Sequence, residues 1–175
     1  MKIIELIKIG DLEQLILERL KDNLNDTLNS LNMDIKINQD GIQLEKSEYN
    51  SERRQYDADK ILNRIIRLTK HHKSFRILGV IDKDIYSEPL NFVFGIAIKP
   101  TKRFSGDPVV SLISVTRLRE QFYNKPENDD LFELRILKEA VHELGHTFSL
   151  EHCNKYCIMR FSNSLMDTDK KPAQF

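Results

Sequence analysis

The sequence predicts an α/β (α+β) protein in which a mixed β-sheet packs against helices. Short apolar runs rich in β-branched residues alternate with amphipathic segments whose apolar residues recur every three or four positions. One run, FRILGVI at 75–81, is apolar almost throughout, as is typical of a strand buried on both faces of a sheet. No repeat or linker divides the 175 residues, so we expect a single domain over 1–175.

The first half of the chain predicts two strands and two helices. Residues 2–9 form an apolar run that predicts a strand, and Asp11 is a candidate N-cap for the following helix. That helix carries one apolar stripe made of Leu17, Leu20, Leu24, Leu28 and Leu31. The alternating segment 33–37 predicts a second strand. The polar segment 40–57, with a D-G turn signal, is predicted to be mostly loop, and a second helix is expected from Asp57.

The second half predicts three strands and a final helix. The strands are expected at 75–81, 91–99 and 108–115, and Pro100 ends the second of them. Asp130 is a candidate N-cap for the final helix. The apolar stripe of this helix consists of Leu131, Leu134, Leu137, Val141 and Leu144.

Composition restricts the class of function. Lys and Arg together number 27, and Asp and Glu also number 27, so the formal net charge is zero. No global basic field therefore favours nucleic acid. No stretch approaches the ~18 apolar residues that a membrane helix needs, and the N-terminal segment lacks the features of a signal peptide. We expect a cytoplasmic protein with no nucleic-acid or membrane partner.

Three of the five histidines lie in the segment HELGHTFSLEHC at 142–153. His142 and His146 are four residues apart on the final predicted helix, which places both imidazoles on one face, within reach of one zinc ion. Glu143 can point into the same site without binding the metal. His152 is the candidate third ligand, provided that the helix ends and the chain turns back. An isolated H-E-x-x-H string can arise by chance, but the helical stripe and third histidine favour zinc binding.

The two cysteines, Cys153 and Cys157, directly follow this cluster. In a reducing compartment, a close cysteine pair indicates a metal or redox site more often than a structural disulfide. Free thiols are the alternative, because two thiolates alone do not complete a four-ligand structural zinc site. His71 and His72 share no spacing with the cluster and are predicted to be surface residues.

The segment HELGHTFSLEH resembles the metzincin zinc motif H-E-x-x-H-x-x-G-x-x-H. The segments HCNKYCIMRFSNSL, RRQYDADKIL, DKDIYSEPLNFVFGIA and SLISVTRL resemble the archaemetzincins specifically, so the resemblance covers most of the chain from Arg53 onward. It implies a metzincin-like twisted mixed sheet over an active-site helix, followed by a Met-turn with Met159 beneath the metal. It also implies a catalytic zinc on the three clustered histidines and Glu143 as general base.

The function that this resemblance implies is zinc-dependent hydrolysis of peptide bonds, by a zinc-activated water and a glutamate general base. The expected partner is a peptide or protein substrate. The strand at 91–98 is the candidate edge for pairing with an extended substrate. The alternative is a zinc-stabilised peptide-binding module with little or no peptidase activity.

Three features depart from the archaemetzincin pattern. Ser149 stands where the motif has glycine, and a left-handed backbone there costs a non-glycine residue about 1–2 kcal/mol. CNKYC has three residues between its cysteines, where archaemetzincins typically have four. The family also closes with a C-x-x-C pair that completes a second, structural zinc site with cysteines matching Cys153 and Cys157, and this sequence contains no such pair. A second zinc is therefore expected only if further ligands complete that site.

Overall fold

The computed structural model describes residues 2–100 and 106–173. The strands are β1 (Lys2–Ile9), β2 (Met33–Ile37), β3 (Tyr49–Asn50), β4 (Gln55–Asp57), β5 (Arg76–Ile81), β6 (Ile85–Tyr86), β7 (Gly95–Ala97) and β8 (Val109–Ser114). The α-helices are α1 (Gln14–Leu28), α2 (Ala58–Thr69), α3 (Asp129–Thr147) and α4 (Leu165–Lys170). Short 3₁₀ helices lie between them. None of the helices in these two ranges is long and apolar enough to cross a membrane.

Five strands form the main sheet, in the order β2-β1-β5-β8-β7. β2, β1, β5 and β8 are mutually parallel, whereas β7 runs antiparallel to β8 at one edge. A smaller sheet has the order β3-β4-β6. The predicted mixed sheet is therefore confirmed, and its single antiparallel strand lies at the edge that borders the histidine cluster.

Helices cover both faces of the main sheet. Leu78 and Val80 of β5 join the core formed with α1 and α3, whereas Ile77 and Ile81 join the core formed with α2. Because successive side chains of a strand point to opposite faces, both sets must be apolar when both faces are buried. The run at 75–81 is apolar almost throughout because both of its faces are buried. The apolar contacts on one of these faces pack α3 against the sheet.

The predicted N-caps of α1 and α3 are wrong. The residue before α1 is Glu13, which makes no side-chain capping bond, so Asp11 is not the cap. The N-cap of α3 is Asn128, whose side chain accepts a hydrogen bond from the Leu131 amide. Asp130 lies instead in the first turn of the helix, where a carboxylate also interacts favourably with the positive end of the helix dipole.

Four segments differ from their predicted structure. Residues 91–99 form a strand only over Gly95–Ala97, and the segment 40–57 contains two short strands. The strand Ile85–Tyr86 and the helix Leu165–Lys170 were not predicted at all. These elements are too short for their apolar spacing to be distinguished from that of a loop.

Leu24→Ala is expected to lower the free energy of unfolding by about 2–5 kcal/mol, because it leaves a cavity in the core between α1 and the sheet. The Leu24 side chain is fully buried, at 0% exposure. Leu15→Ala on the same helix is the matched control, because Leu15 is 52% exposed, and its effect should stay within about 0.5 kcal/mol. Equal losses in urea-induced unfolding of the two variants would contradict this account of the core.

Candidate metal centre

The last two turns of α3 bring His142 and His146 together on one face, and both side chains are buried. The Nε2 atoms of these two imidazoles are 3.2 Å apart. His152, beyond the end of the helix, places its Nε2 3.1 Å from that of His146. The three predicted ligands therefore converge, and within the described ranges they form a group whose ligand atoms all lie within 4.8 Å of one another.

The chemistry of this cluster fits a cation such as zinc. The Nδ1 atoms of His142 and His146 each lie 2.8 Å from a backbone carbonyl oxygen, which only accepts hydrogen bonds. Each Nδ1 must therefore carry the proton, and each Nε2 presents a lone pair to the cluster. Two nitrogens bound at about 2.0–2.1 Å to a tetrahedral zinc ion would be roughly 3.3–3.4 Å apart, close to the observed separations. A cation between these lone pairs removes their mutual repulsion.

A hydrogen-bonded turn after α3 orients His146. The Ser149 amide donates to the carbonyl of His146, and the Leu150 amide donates to the carbonyl of Gly145. This pattern is a Schellman motif, which requires a left-handed residue, and Ser149 has φ +68°. The Leu150 carbonyl then accepts the bond from His146 Nδ1. The turn predicted at Ser149 is thus present without glycine, and it also redirects the chain toward His152.

His142 is oriented by a second turn, formed by residues 157–160. The Arg160 amide donates to the carbonyl of Cys157 across this turn, and the carbonyl of Ile158 accepts from His142 Nδ1. Met159 is buried in the core of α1 and α3, and its carbonyl accepts from the Cys153 amide. The predicted role of Met159 beneath a metal stays a prediction, but its turn contacts a ligand directly.

Desolvation favours the neutral form of all three imidazoles, which is the form that binds metal. Desolvation lowers the pKa of His142 to about 3, and the positive charge of Lys171 acts in the same direction. Desolvation also lowers the pKa of His146 and of His152. At neutral pH the cluster is therefore ready to bind a cation without first losing protons.

Glu143 lies beside the cluster in a space created by Gly95 of β7. A Cβ atom added at Gly95 would lie 2.6 Å from Glu143 Cγ and 2.8 Å from its Oε1, so only glycine permits this approach. Burial, and secondarily the negative Glu139, raise the pKa of Glu143 to about 8, while Lys171 opposes this rise. The glycine within FVFGIAI was the available signal for this contact, because a glycine inside a strand pattern often marks a close approach.

Sequence reasoning missed a buried ion pair below Glu143. Lys171 Nζ lies 2.9 Å from Glu139 Oε1, and the two side chains are only 1% and 3% exposed. The hydroxyl of Thr168 donates to the same carboxylate oxygen at 2.9 Å. No spacing rule connects position 171 with position 139, since the pair depends on how α4 packs against α3. The pair ties the segment after the 157–160 turn to the active face of α3.

A cleft of about 480 Å³ opens over the cluster. One wall is formed by residues 87–97, the floor by α3, and the opposite wall by His152 and residues 161–163. The Phe161 ring is 45% exposed and lies 5.0 Å from the ring of His152. The three histidines and Glu143 therefore face a space in which an extended chain can lie.

The cysteines and the remaining histidines have other surroundings. Cys153 and Cys157 are half-buried free thiols beside the core of α1 and α3. Within residues 2–100 and 106–173, the triad is the one group of three or more candidate ligands. The possible second zinc therefore stays a prediction whose further ligands these residues do not supply. His71 is exposed as predicted, whereas His72 is half-buried with its Nδ1 3.0 Å from Glu5 Oε2.

Comparison with known proteins gives a consistent result. The sequence matches peptidase family M54 over residues 1–175. It is 37% identical to an archaemetzincin of Sulfolobus acidocaldarius, covering 97% of this chain and 89% of that protein. It is 38% identical to an archaemetzincin of Pyrococcus furiosus, with 94% and 83% covered.

Solved structures agree with the sequence comparison. A zinc-dependent peptidase from Methanocorpusculum labreanum superposes with a TM-score of 0.82 at 28% identity, covering 98% of this chain and 95% of that one. An archaemetzincin from Archaeoglobus fulgidus, solved with malonate, gives a TM-score of 0.78 at 33% identity, with 100% and 95% covered. The predicted metzincin-like fold class is confirmed by these likenesses.

His146→Ala is expected to reduce bound zinc from about one ion per chain to a small fraction, because the central ligand of the triad is lost. His71→Ala removes an exposed imidazole outside the cluster and should retain the zinc of the unaltered protein. Elemental analysis of both variants after dialysis against metal-free buffer measures the difference. Full zinc occupancy in His146→Ala would refute the ligand set.

Proposed function

Because the chain belongs to peptidase family M54 and is therefore a zinc metallopeptidase, we propose that it hydrolyses peptide bonds at the three-histidine cluster. The observation that carries the proposal is the convergence of three Nε2 atoms beside a buried carboxylate. His142, His146 and His152 would hold the catalytic zinc, and Glu143 would act as general base. The proposed partner is a peptide or protein substrate.

Zinc bound at this cluster would supply Lewis acidity, which polarises a scissile carbonyl and makes water more acidic. The protein contributes the proton transfers. Glu143 takes a proton from the attacking water and passes it to the nitrogen of the leaving amine. The lack of a side chain at Gly95 leaves room for the Glu143 side chain within the cleft.

The edge strand β7 offers backbone groups for binding an extended substrate. Phe94 and Ile98 bond to β8 through their backbones, at Ser114 and Val110. Backbone groups in an antiparallel pair alternate in direction, so those of Gly95 and Ala97 point away from β8, toward the cleft. A peptide that bonds to these groups would lie along the line of the histidines as a sixth strand. We therefore propose substrate binding by strand addition at β7.

Glu143→Ala is expected to lower kcat by about 10²–10⁴-fold while zinc content stays unchanged, because the general base is lost and the ligands remain. Glu133→Gln on the same helix is the control, since Glu133 pairs with Arg19 away from the cleft. Cleavage of a mixed peptide library, followed by mass spectrometry, measures the effect. Unchanged turnover in Glu143→Ala would refute the assignment.

A zinc-loaded native protein that binds peptides but cuts none would instead support a peptide-binding module.

Gly95→Ala should slow cleavage by about tenfold or more with zinc retained, because the added methyl group displaces the carboxylate of Glu143. The double variant with Glu143→Ala is the matched test, since residues that act through one contact have non-additive effects. We expect the double variant to be no slower than Glu143→Ala alone. If the two losses multiply, Gly95 acts by another route.

A further inference from the structure

The cleft wall formed by residues 87–94 has no regular secondary structure, although it lies directly before β7. Two backbone hydrogen bonds stabilise it. The Leu90 amide donates to the Ser87 carbonyl, and the Val93 amide donates to the Ile85 carbonyl. Between these points, side chains from distant segments hold the backbone of the wall. Among these side chains, Arg53 makes the most contacts with the wall. It lies within the segment RRQYDADKIL.

The guanidinium of Arg53 donates hydrogen bonds to two successive backbone carbonyls of this wall. Arg53 Nη2 donates to Leu90 O and to Asn91 O, each at 3.1 Å. The face of the guanidinium lies 4.2 Å from the ring centre of Tyr86, immediately before the wall. Its Nε donates to Gln55 Oε1 at 3.2 Å. Hydrogen bonds from a charged donor are stronger than neutral ones, so Arg53 is a firm attachment for this segment.

Residues near Arg53 also stabilise this part of the cleft wall. Gln55 Nε2 donates to Asn91 O at 3.0 Å and to Asp84 Oδ2 at 3.1 Å. Asp84 in turn accepts two bonds from Arg117, at 2.6 and 2.8 Å. The Arg117 guanidinium then lies 4.2 Å from the ring centre of Phe92, which lines the cleft. The wall is therefore bound at its backbone by Arg53 and at a side chain by Arg117.

We propose that Arg53 is a positioning residue for substrate binding: by holding the carbonyls of Leu90 and Asn91, it fixes the cleft wall against which an extended substrate lies. Arg53 touches neither the histidine cluster nor Glu143, so it acts on affinity rather than on proton transfer. The proposal rests on the proposed peptidase function for its kinetic readout. Its other readouts, ligand affinity and backbone exchange, do not depend on catalysis.

The adjacent arginine provides a matched control. Arg54 carries the same charge one position further along, and its side chain is exposed. Arg53→Met and Arg54→Met each remove one positive charge and keep a side chain of similar length. Arg53→Lys, which keeps the charge but loses the planar fork, repeats the comparison if Arg53→Met does not fold.

Three measurements on the zinc-loaded full chain separate the outcomes. Acetohydroxamate reports on the metal alone, whereas a peptide hydroxamate also contacts the cleft walls. We expect Arg53→Met to bind the peptide hydroxamate about fivefold or more weakly, with acetohydroxamate affinity within about twofold of the unaltered protein. KM for a cleaved peptide should rise in step while kcat stays within about threefold. Hydrogen exchange of residues 87–94 should become faster. Arg54→Met should change none of these.

Failure of the two proposals would look different. If the native protein binds both hydroxamates but cleaves no peptide, the proposed function fails, and affinity and exchange still decide the role of Arg53. If it binds neither hydroxamate, exchange of residues 87–94 decides alone. Arg53→Met with the peptide-hydroxamate affinity and exchange rates of Arg54→Met would overturn the positioning role. A parallel loss of acetohydroxamate affinity would also overturn it, because the effect would then lie at the metal site.

Discussion

The site depends on one geometric constraint: three imidazole nitrogens must meet at a point, and a straight helix supplies only two of them. The four-residue spacing on α3 stacks His142 above His146, but a residue six positions later points elsewhere. The chain meets the constraint by ending α3 in a Schellman turn at Ser149. The same turn supplies the carbonyl of Leu150 to His146, so one local structure both brings in His152 and orients His146.

The left-handed serine is the strained element in this arrangement. A non-glycine residue in this conformation costs about 1–2 kcal/mol, and such strain persists where the surroundings determine the backbone. Here two amide-to-carbonyl bonds and the ligand contact at Leu150 determine it. A glycine is thus favourable at this position but is not required for the turn to form. The departure from the motif therefore leaves the ligand geometry intact.

Local periodicity accounts for what the sequence could predict. The main helices and the buried strands each arise from residues close together in the chain, and they are confirmed. The three clustered histidines also lie close together in the structure. The remaining features depend on contacts between distant segments. Glu143 fits because Gly95 lies opposite it, and Lys171 is buried because Glu139 neutralises it. The segment 91–99, predicted to be one strand, forms a strand only over Gly95–Ala97, and at its start the distant Arg53 bonds to the carbonyl of Asn91. No pattern within a short window carries such information.

Substrate binding by strand addition at β7, as proposed above, would also restrict which proteins could be cut. An open sheet edge bonds only to a chain whose own backbone groups are free, and a natively folded domain has most of them already paired. The edge strand spans only three residues, so it would suit a short unpaired segment. Such binding would therefore discriminate by the conformational freedom of the target, favouring chain termini, unstructured loops and peptides already released from folded proteins.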